Sequence, residues 1–188
     1  MSIAPRRGLN ARQAETVERL LEAGDAELRS VGYDALTIRT VAARAGVSPA
    51  TAYTYLASKN HLFAELFLRY LALDRDFVPY GRTPLRRVQS VTRRLSERLA
   101  AAPALAAAVT PALLGNDPDV ARLRLRIGQE FVDGFGAALG DDVDPAVIDA
   151  LTLALSGALL QAGVGLITYA DLGDRLDAVV EVVLRGNR

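Results

Sequence analysis

The chain has 188 residues, 51% of them apolar, with 22 basic and 22 acidic residues, one histidine and no cysteine, enough for one small domain plus a helical body with a sizeable core. Without cysteine there is no disulfide or thiolate metal site, and with His61 as the sole histidine there is no His-based triad, dyad or multi-histidine metal site within one chain. The zero net charge excludes a uniformly basic surface, but residues 1–60 carry +2, residues 61–100 carry +4 and residues 101–188 carry −6, so the amino-terminal half is the one suited to a polyanion.

Residues 1–10 have no apolar period and set Arg6 and Arg7 beside Pro5 and Gly8, the pattern of a flexible basic arm. The amino terminus lacks an apolar run, so no signal peptide is expected, and a cytoplasmic protein is. A first helix is expected from Thr16 to Tyr33. Thr37 can N-cap a second, in which Val41, Ala42 and Ala45 make a small apolar face, and Gly46 falls where the chain must turn back with positive φ. Ser48 caps a third helix, and Pro49 suits its first position because the missing N–H would be unpaired there anyway.

Two short helices joined by a tight turn at Ala45-Gly46-Val47 have the geometry that presents a helix to the major groove of DNA. Inward-facing Ala52 and Leu56 leave Thr51, Tyr53, Thr54 and Tyr55 around the rim, and Lys59 follows. Hydroxyls, aromatic rings and a cation are groups that bond phosphates and reach base edges.

The stretch from about residue 12 to 68 resembles the DNA-binding domain of TetR-family transcriptional regulators. The resemblance is carried by a Gly-Tyr after the first helix, Thr-x-x-x-Val-Ala at the second, Ala-Gly-Val-Ser at the turn, Thr-x-Tyr-x-Tyr in the third, then Ser-Lys. Ala52 and Leu56 depart from it, standing where the family usually has a larger aliphatic residue and a Phe. The resemblance implies that Arg39, Ser48, Pro49, Ala50 and Thr51 lie near base edges. It likewise implies that Thr37, Tyr53, Thr54, Tyr55 and Lys59 face the phosphates. Arg39 has the planar fork suited to guanine.

A fourth helix is expected from Ser58 to about Val78, with Leu62, Leu66, Phe67, Tyr70, Leu71 and Leu73 on its apolar side. Pro84 starts a fifth, striped by Leu85, Val88, Thr92, Leu95 and Leu99, and an Ala-rich helix follows Pro103. Arg86, Arg87, Arg93, Arg94 and Arg98 make the fifth helix the most basic, either a solvated face or a docking surface for an anionic effector. Asp117 and Pro118 open the next, with Val120, Leu123, Ile127, Phe131 and Phe135 inward. A pocket is expected between the fourth helix and this one, with Phe67, Tyr70, Phe77, Gln129, Phe131, Phe135 and Arg94 as candidate lining.

Residues 150–170 carry no charge and are long enough to span a bilayer. Gly157, Gly163, Gly165, Ser156 and Gln161, with Asp149 and Asp171 as flanks and no basic anchor, argue for a helix buried in protein instead. Ala150, Ala154, Ala158 and Ala162 form a smooth ridge every four residues, and the last helix offers Leu172, Leu176, Val179, Val180 and Val183. Such a pair looks like half of a four-helix dimer bundle, where TetR relatives dimerise; Ala150, Ala154, Ala158, Ala162, Leu176 and Val180 are the candidate interface.

Other motifs carry less. Gly134-Phe-Gly136 with Gly140 lacks the preceding strand of a phosphate loop, and Asp141-Asp142-Val143-Asp144 lacks the spacing of a calcium loop. The sequence therefore predicts an all-α protein of nine helices in a TetR-like architecture. Residues 1–57 form the helix-turn-helix domain and residues 58–188 the ligand-binding and dimerisation body. The expected function is a ligand-responsive, non-enzymatic transcriptional regulator: a homodimer needing no cofactor or metal, released from a palindromic double-stranded DNA operator by a small, largely apolar effector. The competing class is a helical ligand-binding protein without specific DNA binding.

Overall fold

The computed structural model describes residues 11–74 and 76–185, so the basic arm with Arg6 and Arg7 lies outside the described residues. Among the described residues there are nine helices and no strand: α1 (Ala11–Ala35), α2 (Ile38–Arg44), α3 (Pro49–Tyr55), α4 (Lys59–Ala72), α5 (Pro84–Ala101), α6 (Pro103–Leu114), α7 (Pro118–Leu139), α8 (Pro145–Gly163) and α9 (Leu172–Arg185). Their starts are chemically marked. The side chains of Thr37, Ser48, Ser58, Thr83, Asp117 and Asp144 each accept a hydrogen bond from an N–H of the first turn that the helix itself leaves unpaired.

α4 stops at Ala72 rather than near Val78, and Leu73, expected on its apolar side, is 74% exposed. Pro79 disfavours helical backbone at the residue before it, and a turn closed by the Phe77 N–H on the Asp74 carbonyl takes over. α5 and α6 meet at 106° across Ala102, which sends α6 back to pack on α1 and α4.

The apolar side chains sort into two cores. One gathers α1 to α3 with Leu62, Phe63 and Leu66 of α4 and Leu105, Ala108 and Ala112 of α6. The other gathers Ala64, Phe67, Leu68 and Leu71 of α4 with α5, α7, α8, α9 and the opposite side of α6. α4 and α6 thus belong to both. Ala52 and Leu56, where the sequence departs from its relatives, are fully buried and fill the first core.

α8 is long and apolar enough to cross a membrane by length and composition, but Val147, Leu151 and Leu155 lie in the second core, and the helix packs on α6, α7 and α9. Its last residue comes close to α6: a Cβ at Gly163 would stand 1.9 Å from Thr110 Oγ1 and 2.6 Å from Thr110 Cβ. Gly163→Ala is therefore expected to cost about 1–3 kcal/mol through overpacking, measured as a lowered urea midpoint at unchanged slope.

Candidate nucleic-acid interface and effector cleft

The turn between α2 and α3 is built as the sequence requires. Gly46 has φ 66°, the left-handed region open to glycine, while the Ala45 N–H bonds the Val41 carbonyl and the Val47 N–H the Ala42 carbonyl. Val41, Ala42 and Ala52 are fully buried, which sets the angle between the two helices. Thr37 and Thr40 form a reciprocal cap, and Ser48 Oγ accepts from the Thr51 N–H while lying 2.9 Å from Thr51 Oγ1.

Arg39, Pro49, Ala50, Tyr53 and Thr54 are exposed on this unit, with Thr37 and Ser48 at its helix starts; Thr51 and Tyr55 are half-buried, and Thr54 Oγ1 donates to the Ala50 carbonyl. These nine expected contact residues share one end of the molecule. Lys59 differs. Its Nζ donates to the Tyr33 carbonyl at 2.6 Å and sits 4.1 Å from the Tyr33 ring centroid, so it also ties the start of α4 to the end of α1. Arg44 is likewise engaged, its Nε 2.7 Å from Glu27 Oε2 on α1. Arg39 is the other exposed cation of α2.

Ser58 joins this unit to the body, because its hydroxyl donates to Asp117 Oδ2 at the start of α7. That hydrogen bond holds the Asp117 carboxyl below the ordinary carboxylate range, outweighing the burial that pushes it up.

At the other end of α4 lies a cleft of about 460 Å³. Leu71, Phe77, Pro79, Val91, Leu95, Phe131, Phe135 and Leu155 make its apolar wall, with Thr92, Asp74, Arg94, Arg98, Glu130 and Asp133 as polar lining. Phe77, Phe131, Phe135 and Arg94 are where the sequence predicts. Phe67, Tyr70 and Gln129 are not among the lining residues. Phe67 is closed inside the second core, the Tyr70 hydroxyl donates to the Arg98 carbonyl, and Gln129 is exposed and donates to Asp133 Oδ1. Thr92, Asp74, Glu130 and Asp133 are not expected from the sequence as lining, and Arg98 is expected only as part of the basic face of the fifth helix, since it takes the packing of α5 and α7 beside the end of α4 to bring them together.

The arginines of α5 are struts rather than a free basic face. Arg87 Nε donates to the Ala138 carbonyl at 2.6 Å, Arg93 pairs with Asp174 and Asp177 of α9, and Arg94 and Arg98 pair with Asp74. Burial pushes the Asp74 carboxyl up, but the hydrogen bond from Arg94 and the charges of Arg98 and Arg94 together hold it below its usual value.

Three residues of the expected dimer face, Leu176, Val180 and Ala162, are turned into the chain's own packing. Leu176 and Val180 are 2% and 1% exposed and lie in the chain's own core, because α9 packs along α5, where Ser96 Oγ accepts from the Gly173 N–H. Ala162 is also buried, and Ala150, Ala154 and Ala158 are half-covered, so the alanine ridge sits at the edge of an intrachain contact. The exposed apolar stripe is Leu153 (74%), Leu160 (41%) and Leu166 (74%) with Val179 (39%) and Val182 (71%), carried by α8, α9 and the segment between them.

The model of a family described as "Bacterial regulatory proteins, tetR family" matches residues 20–66. An uncharacterized HTH-type transcriptional regulator of Mycobacterium tuberculosis is 46% identical over 180 residues, 94% of this chain and 84% of the relative. The HTH-type transcriptional repressor KstR of Rhodococcus jostii is 32% identical, covering 92% of this chain and 84% of its own length. Among solved structures, the TetR-family repressor FadR of Thermus thermophilus in complex with lauroyl-CoA superposes with a TM-score of 0.68 at 20% identity, over 90% of this chain and 93% of that one.

Since the folded pKa values of Asp74 and Asp117 lie below the unfolded ones, their stabilisation is fully present above the unfolded carboxylate value of about 3.9 and is lost as pH falls through the folded values. Asp117→Asn is expected to flatten the acid limb of thermal stability below about pH 4, read by circular dichroism melts from pH 7 to pH 2.5.

Proposed function

The chain belongs to the TetR family of bacterial regulatory proteins and is a helix-turn-helix transcriptional regulator, and from that premise we propose that it acts as a ligand-responsive homodimeric repressor on a palindromic operator. Residues 1–57 read DNA in the cytoplasm, and residues 58–188 bind a small, largely apolar effector and hold the two subunits together. One observation carries this: an exposed helix-turn-helix face and an apolar cleft stand at opposite ends of the same α4, which packs into both cores. The name of the Rhodococcus relative supports repression, and lauroyl-CoA in the Thermus neighbour supports an effector with an acyl chain.

On DNA, Arg39, Ser48, Pro49, Ala50 and Thr51 approach base edges, while Thr37, Tyr53, Thr54 and Tyr55 contact the backbone. Lys59 acts through position, fixing where α4 begins. With Arg44 and Lys59 engaged inside the fold, few cations are left for phosphates, so the salt dependence of binding is shallow. The dimer forms through Leu153, Leu160, Leu166, Val179 and Val182. These exposed apolar side chains lie on α8, α9 and the segment between them, and exposed apolar surface of this kind supports an interface with a second copy.

A two-fold protein requires a two-fold site with half-sites about one helical turn apart or a multiple. Selection from random DNA pools is expected to return inverted repeats; direct repeats alone, or no enrichment, contradict the assignment. Thr51→Ala is expected to change the preferred half-site, whereas Tyr53→Phe weakens binding to all sequences alike.

Leu153→Glu places a carboxylate in the proposed interface, and the expected outcome is monomers in sedimentation velocity, with half-site affinity kept and full-operator affinity lost. An intact dimer contradicts this placement of the interface.

A further inference from the structure

We propose that Asp74 is a built-in counterion, displaced from Arg94 and Arg98 when an anionic single-chain amphiphile enters the cleft, and that this exchange removes the ion pairs that tie the segment just past α4 to α5. The inference rests on the cleft being the effector site and adds the ligand's charge and the contact through which it acts.

The geometry already displays the chemistry the arginines select. Arg94 Nε lies 3.2 Å from both oxygens of Asp74, Arg94 Nη2 lies 2.9 Å from Oδ1, and Arg98 Nη1 lies 3.2 Å from Oδ2. Two guanidinium forks around one carboxylate form an oxyanion site occupied in cis. All three residues line the cleft beside Phe77 and Leu95, so a ligand with a carboxylate or phosphate head and an apolar tail meets both groups it needs.

Charge balance decides how the exchange runs. The Arg98 side chain is only 13% exposed, is stacked over Tyr70 at 4.2 Å and donates to the Tyr70 carbonyl, so it cannot be left without an anion at low cost. Asp74 stands just past the last turn of α4, next to exposed Asp76, and can move into water. Among the described lining residues an incoming anion finds its cationic partners in Arg94 and Arg98, in place of Asp74, because the other ionisable lining groups, Glu130 and Asp133, are acids. A neutral ligand of the same length fills the apolar wall and leaves the ion pair closed. A cation is drawn to Glu130 and Asp133 and leaves it closed too.

Opening has a mechanical consequence. Asp74 bridges to α5 through two of its arginines, while the start of α4 stays tied to α1 by Lys59 and to α7 by Ser58. Tyr70 and Arg98 still tie α4 to α5 through their backbone carbonyls, so losing the Asp74 pairs loosens one of the two polar ties at that end of α4 and lowers the cost of shifting it.

The test compares laurate, neutral dodecanol and cationic dodecyltrimethylammonium by isothermal titration on the full chain, below their micellar concentrations, with wild type, Asp74→Asn and Arg94→Gln. Asp74→Asn removes the competing carboxylate, so laurate is expected to bind about tenfold tighter, a difference of about 1.4 kcal/mol, while dodecanol affinity stays the same. Arg94→Gln is expected to weaken laurate about tenfold and again to spare dodecanol. Equal laurate affinity in wild type and both variants overturns the exchange but leaves the cleft as an effector site. If none of the three probes binds wild type, the cleft assignment itself fails. Should Asp74→Asn not fold, recognised by lost dodecanol binding and a lost thermal transition, Arg94→Gln decides: selective loss of laurate supports the proposal, and parallel loss or no loss of both probes overturns it. The source of the head group is read from lauroyl-CoA in the same titrations. Tightening by Asp74→Asn for laurate alone indicates a carboxylate, and for lauroyl-CoA alone a phosphate.

Discussion

The structure depends on α4 being shared. Leu62, Phe63 and Leu66 are buried with the helix-turn-helix, and Ala64, Phe67, Leu68 and Leu71 are buried with the body, so two sides of one helix are set in two cores. A close-packed interior does not let a helix shift on one side only, since displaced side chains lose contacts or collide with their neighbours. Any rearrangement around the cleft is therefore felt at α1 to α3. α6 adds to this, with Leu105 and Ala112 in one core and Ala106 and Val109 in the other.

Electrostatics reinforce the same frame. Arg44 with Glu27, Arg69 with Glu18 and Lys59 with the Tyr33 carbonyl hold α2 and α4 on α1, while Arg93 and Arg94 hold α5 to α9 and to the end of α4. Exposed pairs of this kind contribute little stability individually and fix orientation more than they add energy. Many cations of the amino-terminal half are thus held in fixed positions by partners within the fold.

What was legible in the sequence is local. Gly46 at the turn, the Ser48 cap with Pro49 behind it, and the helix starts at Thr37, Ser58 and Asp117 all depend on residues within one helical turn, and each is found where the pattern puts it. What was not legible depends on neighbours distant in sequence. Phe67 and Phe77 are both aromatic residues in or just after α4, yet one is core and the other lines the cleft, because α4 ends between them. Lys59 and the α5 arginines looked like free cations because their partners, Tyr33, Asp74, Ala138 and Asp177, lie between 20 and 84 residues away.

α9 shows the same limit most sharply. Its apolar residues fall on two stripes, Leu172, Leu176 and Val180 on one and Val179 and Val182 on the other, separated by about 100° per residue of helical rotation. Periodicity alone cannot say which stripe faces the chain's own core. Gly173 decides it: its N–H bonds Ser96 Oγ, and a Cβ there would lie 3.4 Å from Arg93 Cγ, so α9 approaches α5 along the side that carries Leu172 and Leu176. Once that side is fixed, Val179 and Val182 must point outward, and the apolar surface left uncovered follows from the packing of α9 on α5 rather than from the composition of either helix.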